Sequence, residues 1–88
     1  MFERETVLKN RVGLHARAAA FFVQRAGEFK SSILVQREER TANGKSLLGI
    51  LALGVGTGTT IKIMADGKDE KIAVNSLINL IDSDFQEE

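Results

Sequence analysis

The sequence predicts an α+β domain in two layers, a mainly antiparallel four-stranded sheet with helices on one face, in the order β-α-β-β-α-β-α. Three observations predict it. Apolar residues recur at helical spacing in two segments, Ala19, Phe22, Val23, Ala26 and Val74, Leu77, Ile78, Ile81. Period-two alternation marks SILVQ and TIKIMA as half-buried strands. The third is length: 88 residues give one domain over residues 1–88 and leave no room for a second core. A chain this short buries roughly 60–65% of the surface its unfolded form exposes, so covering one face of one sheet is the economical arrangement.

The elements follow in order. FERETVL, residues 2–8, is a first strand with weak alternation, and Gly13 ends the connection after it. A helix beginning near Ala16 carries Arg17, Gln24, Arg25 and Glu28 on its polar face and stops near Gly27. SILVQ, residues 32–36, and RTAN, residues 40–43, form a hairpin around Glu38 and Glu39. Ser46 is a good N-cap for a short helix over residues 47–53, and VGTGTT is a glycine-broken turn. TIKIMA, residues 60–65, is the last strand. After the turn DGKD, Asp69 is placed to cap the last helix, and the acidic end DSDFQEE reads as a solvated tail.

Composition narrows the function. Lys plus Arg equals Asp plus Glu, twelve each, which argues against nonspecific binding to nucleic acid or to an anionic membrane. The chain has no Cys, so disulfides, thiolate metal sites and a cysteine nucleophile are excluded. With one His and scattered carboxylates, we expect neither a metal site nor a cofactor. The start MFERETVLKN is charged with no apolar signal region, and the longest apolar stretch, LLGILALGV, falls far short of the roughly 20 residues a membrane span needs. The expectation is a soluble cytoplasmic protein.

The chain's single histidine, His15, stands where a loop becomes a helix. The first amides of that helix lack carbonyl partners and carry the positive end of the helix dipole, so they favour an anion beside residue 15. Arg17 adds planar guanidinium donors that match a phosphate. A neutral imidazole is a nucleophile near pH 7. His15 could therefore accept a phosphoryl group, with Gly13 keeping the approach clear of a side chain. A surface histidine acting as a weak cap is the plainer reading of the same residue.

GLHAR followed by AAxFV, together with KSLLGILALGVGTGT about thirty residues on, resembles the HPr family of histidine-containing phosphocarrier proteins of the bacterial sugar phosphotransferase system, and the likeness runs over nearly the whole chain. The resemblance implies an open-faced sandwich with strand order 1-4-2-3 and three helices on one face. It implies that His15 takes a phosphoryl group on Nδ1 from enzyme I, itself charged by phosphoenolpyruvate, and passes it to IIA domains of sugar permeases. Arg17 matches the family's phosphate contact. Such a protein is a covalent carrier and not an enzyme. Two positions depart from the family pattern. Ala18 replaces a usual Pro, and should keep the helix while losing some loop rigidity. Glu39 stands where relatives often have Gly, which predicts a wider loop or a different turn type.

Ser46 is explained by an ordinary N-cap. By resemblance it is also a regulatory serine, modified by an HPr kinase/phosphorylase and then read by a transcriptional regulator in carbon catabolite control. Phosphate at a helix N-terminus is compatible with the fold, and Lys45 could partly neutralise it. The helix after Ser46 is apolar nearly all round. Ile50 and Leu53 should point inward, leaving Leu47, Leu48 and Leu51 with Ala16 and Ala20 as a partner-binding patch around His15. Phe21, on the polar side of its helix, either joins that surface or folds back over its neighbours.

NGKS lacks the first glycine of a phosphate-binding loop, and GVGTG precedes a strand instead of following one. With no Tyr or Trp and no net charge, an RNA-binding module is not indicated either. Two functions remain in competition with the carrier. One is a regulatory binding module acting mainly through Ser46. The other is a freestanding enzyme with His15 as general base, for which no second catalytic group is apparent.

Overall fold

The computed structural model describes residues 1–10 and 13–85. Four strands, β1 (Phe2–Val7), β2 (Ser32–Arg37), β3 (Arg40–Asn43) and β4 (Thr60–Asp66), form one sheet in the order 1-4-2-3, with every neighbouring pair antiparallel. Three helices complete the expected order of elements: α1 (Ala16–Ala26), α2 (Leu47–Ala52) and α3 (Glu70–Asp82). Alternation decides the faces. Ile33, Val35, Ile61, Ile63 and Ala65 are buried beneath the helices, while Ser32 and Leu34 between them are exposed. From the other layer come Ala18, Ala19, Phe22 and Ala26 of α1 and Ala73, Val74, Leu77, Ile78, Leu80 and Ile81 of α3. Among the described residues no helix is long and apolar enough to cross a membrane.

Glu38 and Glu39 alone join β2 to β3, with Arg37 paired to Arg40, so the hairpin is no wider than a tight two-residue turn. The left-handed conformation falls on Glu38, at φ 55°, and not on Glu39. That conformation costs a non-glycine residue roughly 1–2 kcal/mol, which the flanking ladder holds in place. Arg25, expected on the polar face of α1, is half-buried and donates from Nη1 to Ser76 Oγ at 3.0 Å, tying α1 to α3.

Both ends of α3 differ from expectation. Asp69 occupies the N-cap position, but its side chain caps nothing. Its carboxylate instead reaches the connection before β2. Oδ2 accepts from the Lys30 amide at 2.9 Å, and Oδ1 accepts from the Ser31 amide at 3.0 Å and from the Ser31 hydroxyl. Ser31 is 1% exposed, so its hydroxyl depends on this partner. At the other end, Phe85 N–H donates to the Leu80 carbonyl and Asp84 N–H to that of Ile81, a Schellman motif with Asp84 at φ 60° in the place glycine usually takes. Phe85 packs into the core at 7% exposure, so the acidic end is not simply a solvated tail; residues 86–88 lie outside the described residues.

The Asp69 contacts predict a pH dependence. The Ser31 hydroxyl first, then the Lys30 amide, holds the Asp69 carboxyl below its ordinary value of 3.8. A depressed folded-state value stabilises fully above the unfolded-state value, and that stabilisation is lost as pH falls through the folded one. Asp69→Asn should lower the urea midpoint at pH 7 and flatten its decline below about pH 4, where the unfolded parent takes up the proton before the folded one does. Parallel decline of parent and variant across that range would contradict the assignment.

Candidate functional site

The loop that carries His15 is fixed by backbone bonds to the turn after α2. Leu8 N–H donates to Thr59 O at 3.0 Å and Gly58 N–H to Leu8 O at 2.7 Å. Thr57 Oγ1 donates to Asn10 O at 2.6 Å, and Asn10 Nδ2 to Gly13 O at 2.7 Å. Leu14, 5% exposed, is the apolar anchor, and its N–H donates to Val55 O at 2.9 Å. Gly13 sits between these ties at φ +67°, and a Cβ on it would lie 2.5 Å from Val55 O and 2.6 Å from Gly56 Cα. Its missing side chain therefore serves the close approach of two loops rather than an open path to the imidazole.

Beyond Leu14 the chain enters α1 with His15 as N-cap, at φ −76° and ψ 179°. His15 is exposed, and its Nδ1 accepts from the Arg17 amide at 3.3 Å. A neutral ring that accepts at Nδ1 carries its proton on Nε2. The contact is longer than the usual 2.9–3.0 Å, so it is weak and readily exchanged. His15 O accepts from Ala19 N–H at 2.8 Å, the first bond of the helix ladder, so α1 starts properly with Ala at position 18. Ala18 itself is buried at 2% exposure. An anion held at Nδ1 would meet the amides of the opening turn, which have no carbonyl partners within the helix.

Arg17 brings its backbone amide to the imidazole, while its guanidinium lies over an aromatic ring. The guanidinium carbon lies 5.8 Å from the centroid of the Phe21 ring, within cation–π range. Phe21 is half-buried and packed against the core, so it folds back over its neighbours and also supports Arg17. Helical spacing of i and i+4 puts these two side chains on one face, a pairing that polar and apolar labels alone did not single out.

Ser46 is the N-cap of α2, and its Oγ accepts from Gly49 N–H at 3.0 Å. Lys45 does not lean toward it: its Nζ donates to the Phe29 carbonyl at 2.7 Å. The far end of α2 is held by two arginines from the hairpin, Arg37 Nη1 on Leu53 O at 2.9 Å and Arg40 Nη2 on Ala52 O at 2.8 Å. A helix this short is marginal alone, and cations at its C-terminal carbonyls offset that. The sequence reading missed this clamp, whose only signal was two arginines flanking the hairpin turn. Ile50 and Leu53 are buried as expected. Leu48 is 81% exposed and Leu47 42% exposed, whereas Leu51 is half-buried against the core. Ala16 and Ala20 are exposed on α1, which contacts α2 directly. Among the described residues no cluster of His, Cys, Asp or Glu could hold a metal ion.

Comparison with known proteins bears on this arrangement. A family model, the PTS HPr component phosphorylation site, matches residues 2–83. The phosphocarrier protein HPr of Cupriavidus necator is 40% identical over 87 residues, spanning 99% of this chain and 98% of its own length. The HPr-like protein Crh of Halalkalibacterium halodurans is 38% identical over 84 residues, spanning 96% of this chain and all of its own length, 100%. Among solved structures, HPr-C-His from Thermoanaerobacter tengcongensis superposes with a TM-score of 0.95 at 46% identity, covering 100% of this chain and 99% of that one.

Proposed function

The chain belongs to the HPr family of phosphotransferase-system phosphocarriers, and from that premise we propose that His15 receives a phosphoryl group from enzyme I and passes it to IIA domains of sugar permeases. The single observation that carries this reading is the exposed His15 ring at the N-cap of α1, its Nδ1 turned onto the Arg17 amide. In the forward step the Nδ1 lone pair forms a bond to phosphorus. The bond from phosphorus to the donor breaks, its electron pair leaving with the donor atom, which gains a proton as Nε2 loses one. The Arg17 amide, released from nitrogen, is then free to donate to a phosphoryl oxygen. Arg17 supplies the guanidinium for the same oxygens. Transfer to the acceptor domain is the reverse sequence with a new leaving direction. No group in this scheme turns over alone, so the protein works as a carrier, one HPr domain over residues 1–88, in the cytoplasm, a location consistent with its family. The surface for those partners is Leu47, Leu48 and Leu51 with Ala16 and Ala20, suited to brief apolar docking.

The test is incubation with phosphoenolpyruvate and enzyme I. An acid-labile phosphohistidine is expected on the protein, and a protein that stays unlabelled would overturn the reading.

A second role is favoured by one feature. Ser46 caps α2 beside the exposed Leu47 and Leu48, in a chain that is 38% identical to the Crh relative over 84 residues. Phosphate on Ser46 would add about −2 charge at the edge of that patch, opposing the docking of the donor enzyme and offering a mark for a transcriptional regulator. With ATP and an HPr kinase/phosphorylase, an acid-stable phosphate should appear on the parent and be absent from Ser46→Ala. Equal labelling of that variant would exclude Ser46.

A further inference from the structure

We propose that Phe21 is a positioning residue for Arg17: its ring holds the guanidinium away from His15 in the resting protein, and the guanidinium must leave the ring to reach a phosphoryl group on His15. The inference rests on the reading of His15 as acceptor and Arg17 as phosphate contact.

The two ends of Arg17 point to different places. Its amide donates to His15 Nδ1 at 3.3 Å, while its guanidinium carbon lies 5.8 Å from the Phe21 centroid. His15 and Phe21 stand six residues apart in sequence, about 9 Å of helix rise, so the ring's backbone anchor lies well beyond the residue that carries the imidazole. The ring is half-buried and packed against the core, whereas Arg17 is exposed. The fixed partner is thus the ring and the movable one the guanidinium. Among the described residues the guanidinium forms no hydrogen bond or ion pair, and the Phe21 ring is its partner.

When the bond from Nδ1 to phosphorus forms and that to the donor breaks, a dianion appears at the N-terminal end of α1. A guanidinium binds phosphate through paired charge-assisted hydrogen bonds, which outweigh an exposed cation–π contact. The ring contact is therefore surrendered on phosphorylation and regained on transfer to the acceptor. It weights the exchange toward the unphosphorylated protein by about twofold to fivefold, the worth of an exposed cation–π contact. The device helps a carrier release its cargo.

The test is a cycle of Phe21→Leu, Arg17→Ala and the double variant, with Phe21→Tyr as the variant that returns a ring. The phosphorylated fraction is read at fixed ratios of phosphoenolpyruvate to pyruvate with catalytic enzyme I. Phe21→Leu should shift the exchange about twofold to fivefold toward the phosphorylated form, Phe21→Tyr should restore the parent value, and the double variant should match Arg17→Ala alone. In the proton spectrum of the parent, the Arg17 side chain should sit upfield under the ring current and move downfield on phosphorylation. A Phe21→Leu exchange equal to the parent's, or an equal shift in the Arg17→Ala background, overturns the role of Phe21 while leaving the carrier intact. A parent that takes no label overturns the acceptor reading and this inference with it. Should Phe21→Leu fail to fold, the parent's Arg17 signals decide: movement on phosphorylation supports the inference, and unmoved signals overturn it.

Discussion

His15→Ala is expected to take up no phosphoryl group from enzyme I while unfolding within a few degrees of the parent protein. The first half follows from composition: the chain holds one histidine and no cysteine, so no second nitrogen or sulfur nucleophile of that kind can substitute. The second half follows from geometry. As an N-cap, His15 gives the helix one long hydrogen bond of 3.3 Å from an exposed position. Losing it should destabilise by about 0.5 kcal/mol, the low end for a cap, or about 2–4 °C in Tm. His15→Asn separates the two roles further, since Asn is a strong N-cap with no basic nitrogen. It should match or exceed the parent in Tm and remain unlabelled. Labelling of either variant to the parent's extent would place the acceptor elsewhere.

The capping half of that prediction rests on geometry that was legible in the sequence. Caps are local. A residue with a nitrogen or oxygen acceptor just before an apolar helical pattern predicts its own backbone partner two or three residues on, and His15 and Ser46 both do this. Strand alternation is local too, and it placed Ile33, Val35, Ile61 and Ile63 on the covered face. Asp69 shows where locality ends. Its position before α3 has every mark of a cap, yet its oxygens go to Lys30 and Ser31, nearly half the chain away. A short carboxylate serves whichever amides the fold brings near, and no periodicity records that choice.

The same limit applies to the cations. Arg37, Arg40, Lys45 and Arg17 look alike in sequence as exposed charge. In the fold, two hold the carbonyl end of α2, one caps a carbonyl before β2, and one lies over an aromatic ring. Long flexible side chains find partners after the backbone has formed, and their energies are too small to shape the pattern that predicts the backbone. The consequence for function is direct. The exposed leucines proposed as the docking surface stand on a helix too short to hold itself, and Arg37 and Arg40 from the neighbouring hairpin fix its direction. A family resemblance transfers His15 and Ser46 by position. The support beneath them has to be found in coordinates.

Gly13→Ala is expected to damage both stability and phosphoryl uptake, through the backbone alone. At φ +67° an Ala side chain is strained by roughly 1–2 kcal/mol, partly offset by about 0.4–1 kcal/mol of reduced freedom in the unfolded chain. The larger effect is contact. Its Cβ would lie 2.5 Å from Val55 O and 2.8 Å from Gly56 C, both backbone atoms that cannot rotate aside. Relief requires the two loops to part, and the bond from Leu14 N–H to Val55 O, now 2.9 Å, is the first to stretch. Leu14 would then lose burial next to the residue that presents the imidazole. We expect a total of about 2–4 kcal/mol, or about 10–25 °C in Tm for a domain of this size. At temperatures where the variant is still folded, displacement of His15 from the helix opening should slow labelling by enzyme I on the order of 10²-fold. The two measurements test different links. A large loss of Tm with normal labelling would mean the loop recovers its direction despite the clash. An unchanged Tm would mean the loops separate freely, and the imidazole is then held by the helix alone.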